Sequence, residues 1–586
     1  MERTVGLWRK VVRVLLRVLL GLFVLLLLAL AAVAWWAKDH GKPWLDRTVR
    51  ERITEAVDRA SVDGYRFTIT GSETDALQGD LVVTGAVLGY DSALVDSLRD
   101  GRLDYLFAAQ ADRLELRGFS YWRLILFREF KAEALEVVAP RLAYVIGGKR
   151  VDLGDPFDRI EGGGARISVL RVDTLLIRDA SCSVQDLGDR LPLLDLCGLD
   201  ITTTDARLAV SKRRDRVWVS MDDALFDLDS LGTALPDGSH VRTGAIHLER
   251  RTRTGSIHRF RLEPSPRDLD TTNADRLRRT VMTLSVDTIR FNGMDVDALI
   301  THQVLELRHL HVEGARLEAW LDKGLRDGPP MARALPAAAL LALPFAVRVD
   351  TLTVADASVH YNERDSLTRR WGHLPLTDLQ ARFLHVVNDE ADDPRVEPMP
   401  LSGSFTGVVF DAASFSGNYD ARLDGPQEFS LAIAVRELPC SSMNEATRPL
   451  MRMVMKEGQL HELRLRMSAD DRRAKGVVAM RVSDLRVQVE PGTPERERHS
   501  MFGAILETML AEEYGGGLDM DRSRSFTVER DPQRGVFTYL WHVLREGLAR
   551  NLLPEAKERV KAMLRVDRAR GKEARAKRKA LREQRR

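Results

Sequence analysis

At 586 residues the chain exceeds one minimal core, and its length permits two to four domains or one long repetitive body. Its 88 Lys and Arg nearly balance 86 Asp and Glu, which removes any global case for a nucleic-acid partner. Three cysteines (Cys182, Cys197 and Cys440) are too few for a disulfide framework and lack zinc-site spacing.

Residues 1–17 are basic, with Arg3, Arg9, Lys10, Arg13 and Arg17. Residues 18–37, "VLLGLFVLLLLALAAVAWWA", carry no charge and suffice for a helix across roughly 30 Å of hydrocarbon. The charges that follow, Lys38, Asp39, Lys42 and Asp46, are mixed in sign. This asymmetry predicts a single-pass anchor with a cytoplasmic N-terminus and the remaining chain across the membrane. A signal peptide cut at Ala32-Val33-Ala34 is the rival, but the long apolar run and Trp35-Trp36 favour an uncleaved anchor.

Residues 43–60 have helical spacing in Leu45, Val49, Ile53 and Val57, and Pro43 suits a helix start. From 64 to 490 the pattern is strand after strand, separated by Gly, Asp, Asn and Pro. "DSALVDSLRDGRLDYLFAA" (91–109) and the Ala/Leu-rich stretch 331–343 are the expected helical exceptions. The body repeats itself: "RVDTLLIRDASCSV" starts at 171 and "RVDTLTVADASVHY" at 348, about 177 residues later (348 − 171). "ADRLELRGF" and "ALEVVAPRLAYV" precede the first copy, whereas "SVDTIRFNG" and "HLHVEGARLEAWL" precede the second. "LPLLDL" and "LPLTDL" follow them. Related units therefore cover about 111–200 and 286–384, as expected when strand-rich units stack because none can bury a face alone. Leu114 and Leu116, Leu175 and Ile177, Ile289 and Phe291, and Leu352 and Val354 occupy equivalent apolar positions on one face. That face either closes as an ordinary sandwich core or lies open as a long apolar groove. An open groove would suit acyl chains, since each buried methylene is worth about 0.8 kcal/mol.

Residues 491–553 contain two amphipathic helix candidates, "HSMFGAILETMLAEEYGGG" and "GVFTYLWHVLREGLARNLL", and 554–586 form a basic tail. They read equally as a cap on the β body with a solvated tail or as a docking segment. In the docking reading, Trp541, Arg578, Lys579 and Arg582 are the candidate headgroup or partner contacts.

No nucleotide loop, HExxH or GxSxG motif is present, so neither catalysis nor a cofactor is expected. His309 and His311 share a strand face without an evident third ligand, so no metal site is expected either. Cys182 and Cys197 are symmetric about the Asp189–Arg190 junction. A regular hairpin centred there would put them opposite each other, within disulfide reach. A bulge or longer loop would instead leave two buried thiols one register step apart.

The anchor, the short helix and "GYRFTITG…GDLVVTGAVLGY" resemble the opening of AsmA-like bacterial envelope proteins. So does "GQLHELRLRMSADDRRAKGVVAMRVSDLRVQV" (458–489), with Gly458, Gly476 and the Asp484-Leu485-x-Val487 ending. The resemblance implies a mainly β fold: an inner-membrane helix, an elongated, twisted, repetitive β-groove, and helical C-terminal segments. It also implies a non-enzymatic periplasmic protein that carries phospholipid acyl chains toward the outer membrane. The alternative is an anchored scaffold assisting envelope-protein assembly.

Overall fold

A computed structural model describes residues 64–551 apart from 121–128, 148–168, 188–191, 212–215, 270–276, 300–303, 389–399, 423–427, 490–517 and a few shorter gaps. The expected membrane anchor at 18–37, the helix at 43–60, the first amphipathic helix and the basic tail with Arg578, Lys579 and Arg582 lie outside the described residues. Among the described residues no helix is long and apolar enough to cross a membrane.

The protein is mainly β. Hydrogen bonds join nearly all described strands into one large sheet. Two compact units divide the chain. The first runs to Asp270 and adds Leu284–Glu313 and Leu343–Asp350; the second holds Thr271–Thr283, Gly314–Ala342 and the chain from Thr351.

In the first unit the strands follow one another as an antiparallel meander, with one exception. Glu129–Val138 and Arg141–Ile146, two halves of one interrupted strand, pair in parallel with Val169–Asp186. The second unit contains the same exception, Arg316–Asp322 in parallel with Ala346–Arg364. The two parallel joints are the two copies of the sequence repeat, and their registers coincide. Arg141 faces Ser181 in the first, and Arg316 faces Ser358 in the second. The backbone N–H groups of Ala139 and Ser181 donate to Arg178 and Pro140, just as those of Gly314 and Ser358 donate to Ala355 and Ala315. Asp179 and Asp356 hold the same left-handed backbone, with φ of 52° and 51°. Aspartate tolerates that conformation better than a β-branched residue does, which explains why "RD" and "AD" sit at the bend between two apolar alternations.

The first expected helical stretch is only half helical. Ser92–Arg99 forms a helix capped by the Asp91 side chain, which accepts from the Leu94 N–H. The chain turns at Gly101 (φ 73°), and Tyr105–Arg117 is a strand. Leu106 and Phe107 face Val145 and Tyr144 across the sheet, so strand pairing overrides the helical spacing of 105–109. The 331–343 stretch does contain a helix, Pro336–Leu341. In the second unit, Gly458 (φ 126°) meets the Leu485 backbone across the strand pair, beside left-handed Asp484 (φ 51°). The quoted "GQLHEL…SDL" residues thus form a kink where the ladder between Met453–Ala469 and Arg473–Val489 shifts register.

The left-handed aspartates give a stability test. Asp356→Val should lower the thermal midpoint, at a cost of about 1–2 kcal/mol, whereas Asp356→Gly should leave it unchanged or raise it. Equal destabilisation by both would show that the side chain, not the backbone angle, matters there.

Candidate functional site

Directly paired residues of neighbouring strands point to the same face of a sheet, so register shows which side chains form a continuous surface. In the first unit one line can be followed across ten strands: Val83, Leu114, Val137, Ile177, Ile201, Phe226, Leu248, Gly255, Phe291 and Leu310. The only member without a side chain is Gly255, and the Phe291 ring lies over it, 2.5 Å from where a Cβ would stand. At about 4.8 Å per strand, nine steps give the line a contour of roughly 43 Å. A second line runs beside it through Leu199, Leu228, Ile246, Ile257, Ile289 and Val312.

The two ends of the line differ in cover. Val83, Leu114, Val137, Ile177 and Ile201 are buried within one core cluster, together with Leu116; Leu175 packs against that cluster. Phe226, Leu248, Phe291 and Leu310 are only half-buried. The three core clusters draw no residue from 232–334. The expected apolar positions therefore separate into two groups. Leu114, Leu116, Leu175 and Ile177 pack in or against a closed core; Ile289, Phe291, Leu352 and Val354 are half-buried and belong to no core cluster. Leu352 and Val354 are the repeat equivalents of Leu175 and Ile177; both leucines are half-buried, but Ile177 is buried where Val354 is only half-buried.

The other face of the first unit is polar, and much of its charge is paired. Arg178 donates to Glu136 at 2.7 Å and Arg290 to Glu313 at 2.7 Å, and Arg171 lies 3.0 Å from Asp205. His247 and Asp227 are 2.6 Å apart. Exposed pairs of this kind are each worth roughly 0–1 kcal/mol, so they keep the face soluble rather than hold the fold together. His309 and His311 lie on Val304–Glu313 with ring centroids 6.3 Å apart. No group of three metal-ligating side chains forms among the described residues.

In the second unit the apolar face of the later strands is covered. Helical residues within 536–551 lay Tyr539, Leu540, Val543 and Leu544 on a core containing Leu431, Leu465, Val478 and Phe526. Leu335 and Ala337 join that core. The Asn551 amide donates to the carbonyls of Val478 and Gly547, tying the helix to the sheet. The described part of the second amphipathic helix thus acts as a cap. Trp541 stays 37% exposed on its outer side.

The cysteine geometry requires a correction. Cys182 faces Leu196, while Cys197 faces Ser230 on the other side of its strand. The pairs nearest the turn, Val184–Leu194, Ser183–Asp195 and Cys182–Leu196, centre the hairpin half a residue before the Asp189–Arg190 junction. That one step of register puts the two thiols on opposite faces. Cys182 and Cys440 are buried, Cys197 is exposed, and all three are free. Burial pushes the Cys182 thiol up to about 12 and that of Cys440 up to about 11. The residues that sequence reading missed are Phe226, Leu228, Ile246, Leu248, Ile257, Leu310 and Val312. Their signal was present in "LFDLDS" and "AIHLE", but only register shows that they continue the line.

Neither a scan against known protein families nor a comparison with curated proteins found a match for the chain.

Two measurements follow from the geometry. A maleimide should label Cys197 alone in the native protein at pH 8 and all three cysteines after denaturation, since a neutral buried thiol is inert. Ready native labelling of Cys182 would contradict the register. Ile177→Asp should destabilise by about 3 kcal/mol or more, because it buries a charge in a closed core. Phe291→Glu should cost about 1–2 kcal/mol in chemical denaturation, clearly less than Ile177→Asp, because water already reaches that site although the ring covers Gly255.

Proposed function

We propose that this protein is a membrane-anchored, non-enzymatic lipid carrier of the cell envelope. In this reading it is fixed in the inner membrane through residues 18–37, with its β body in the periplasm. Phospholipid acyl chains lie along the apolar lines of the sheet as in a groove, on their way toward the outer membrane. The observation that carries the reading is the unbroken apolar line across ten strands, half-buried from Phe226 to Leu310. The half-buried stretch from Phe226 to Leu310 takes four strand steps, a contour of roughly 19 Å that is about the length of one acyl chain, and partly covered apolar surface of that kind suits a binding site. The likeness to AsmA-like envelope proteins in residues 458–489 and at the chain's opening agrees with it.

A second reading, an anchored scaffold assisting outer-membrane protein assembly, draws support from the closed packing around Leu114, Leu116 and Ile177. A carrier would gain nothing from sealing that part of its apolar face.

A photoreactive phenylalanine analogue separates the two readings. Placed at Phe291 or Leu310 in the full-length protein, it should crosslink phospholipid in cells, whereas the same group at Arg290 on the polar face should not. Phe291→Glu should abolish lipid crosslinking from Leu310 at normal protein level, because an acyl chain would have to desolvate the carboxylate. Crosslinks to protein alone, from both faces, would favour the scaffold.

A further inference from the structure

The polar face of the second unit departs from the charge pairing seen on the first. On its last four strands, Phe429–Pro439, Met453–Ala469, Arg473–Val489 and Leu518–Glu529, the apolar positions Leu465, Met467, Val478 and Met480 point into the cores. The intervening positions face out and form three adjoining rows by register. Ala432, Arg466, Val477 and Ser525 make one, and Ala434, Arg464, Ala479 and Ser523 the next. Arg436, Glu462, Arg481 and Asp521 close the series on one side, and Lys475 stands two residues from Val477 on the other. This surface carries five cations (Arg436, Arg464, Arg466, Lys475, Arg481) and two carboxylates (Glu462, Asp521), an excess of three positive charges. Arg464 and Arg436 share Glu462, at 2.7 and 3.8 Å. Arg466, Lys475 and Arg481 are exposed and make no ion pair among the described residues.

Apart from the carboxylates Glu462 and Asp521, the residues between the cations are the small Ala432, Ala434, Ala479, Ser523 and Ser525, together with Val477. That side chain stands 40% exposed among the cations and opposite Arg466. An exposed apolar side chain beside Arg466 and Lys475, on a surface of small side chains with a net positive charge, matches a bilayer surface, where basic groups meet headgroup phosphates and a small apolar group enters the interface. A folded acidic protein would instead call for relief and for a larger apolar centre than one valine.

We propose that this outer face of the second unit docks on an anionic membrane surface, with Arg466, Lys475 and Arg481 meeting lipid phosphates and Val477 at the centre of the contact. This assignment does not depend on the lipid-carrier reading, since it rests on other strands and on charged side chains rather than on the apolar lines.

Full-length protein held in neutral phosphatidylcholine nanodiscs should bind vesicles containing 30% phosphatidylglycerol and not pure phosphatidylcholine vesicles, as read by flotation. Binding should fall as salt rises from about 50 to 300 mM, as for any contact between exposed charges. The combined variant Arg466→Gln, Lys475→Gln, Arg481→Gln should bind at least about tenfold more weakly, and Val477→Ser about two- to threefold, with unchanged circular dichroism. Because the changes are at exposed positions and leave the basic tail intact, undiminished binding by the triple variant would assign the contact to the tail and overturn the proposal. Equal binding to neutral vesicles would overturn it too, as would capture of dextran sulfate without capture of vesicles. If the triple variant fails to fold, charge reversal of Lys475 alone (Lys475→Glu) gives the same reading at a single exposed site.

Discussion

Each strand exposes its side chains alternately to two faces, and a slip of one residue exchanges those faces. Everything described above depends on that period of two staying in step from strand to strand. In the first unit it does so through nine successive pairings, one of them parallel, so that Val83 and Leu310 belong to one surface although 227 residues separate them (310 − 83). The parallel joint is where the step is most exposed to error, because parallel partners cannot be set by a tight turn. There the backbone bonds of Ala139 and Ser181 bracket the break in the strand, and left-handed Asp179 takes up the bend. The second unit repeats this bracket with Gly314, Ser358 and Asp356. The phrase written twice in the sequence is the register lock of a joint.

The contrast between the two units lies in what covers their apolar faces. The second unit has its own cover, built from Pro336–Leu341 and the helical residues of 536–551, and the Asn551 amide fixes that cover to the backbone at Val478. Close approach is possible because Gly547 stands over Val478, where a Cβ would lie 2.3 Å from the valine side chain. In the first unit the early strands carry a core cluster and the later ones do not. One chain therefore uses the same alternating pattern for a closed core, a capped core and a half-covered surface.

Much of this was legible in the sequence, and the boundary of legibility is physical. Alternation in "TLLIRD" and "TLTVAD" marked the strands, and the repeated phrase marked equivalent places before any register was known. What the pattern could not tell was cover. Ile177 and Val354 occur in nearly identical words, yet the first is buried and the second half-buried, because burial depends on the distant segments that pack above each residue. The hairpin at Cys182 and Cys197 failed for a different reason. Symmetry in residue number assumes that the turn is centred on the Asp189–Arg190 junction, but the ladder leaves the turn paired as Val184–Leu194, and that half-residue displacement sufficed to turn one thiol inward and the other outward. Helical spacing at 105–109 misled because Leu106 and Phe107 had partners waiting across the sheet.

The glycines beneath aromatic rings carry a consequence for how such a chain can evolve. Phe291 lies over Gly255, Phe383 over Gly403 and Phe405 over Gly417, each ring within 2.2–2.5 Å of the missing Cβ. Alanine at the glycine would drive the ring off the strand, and a smaller residue at the phenylalanine would leave bare backbone facing water. Neither position can drift alone. Related chains should therefore keep each pair intact or exchange both members together, so that covariation would trace the sheet's register through descent even where the surrounding strands have lost all visible likeness.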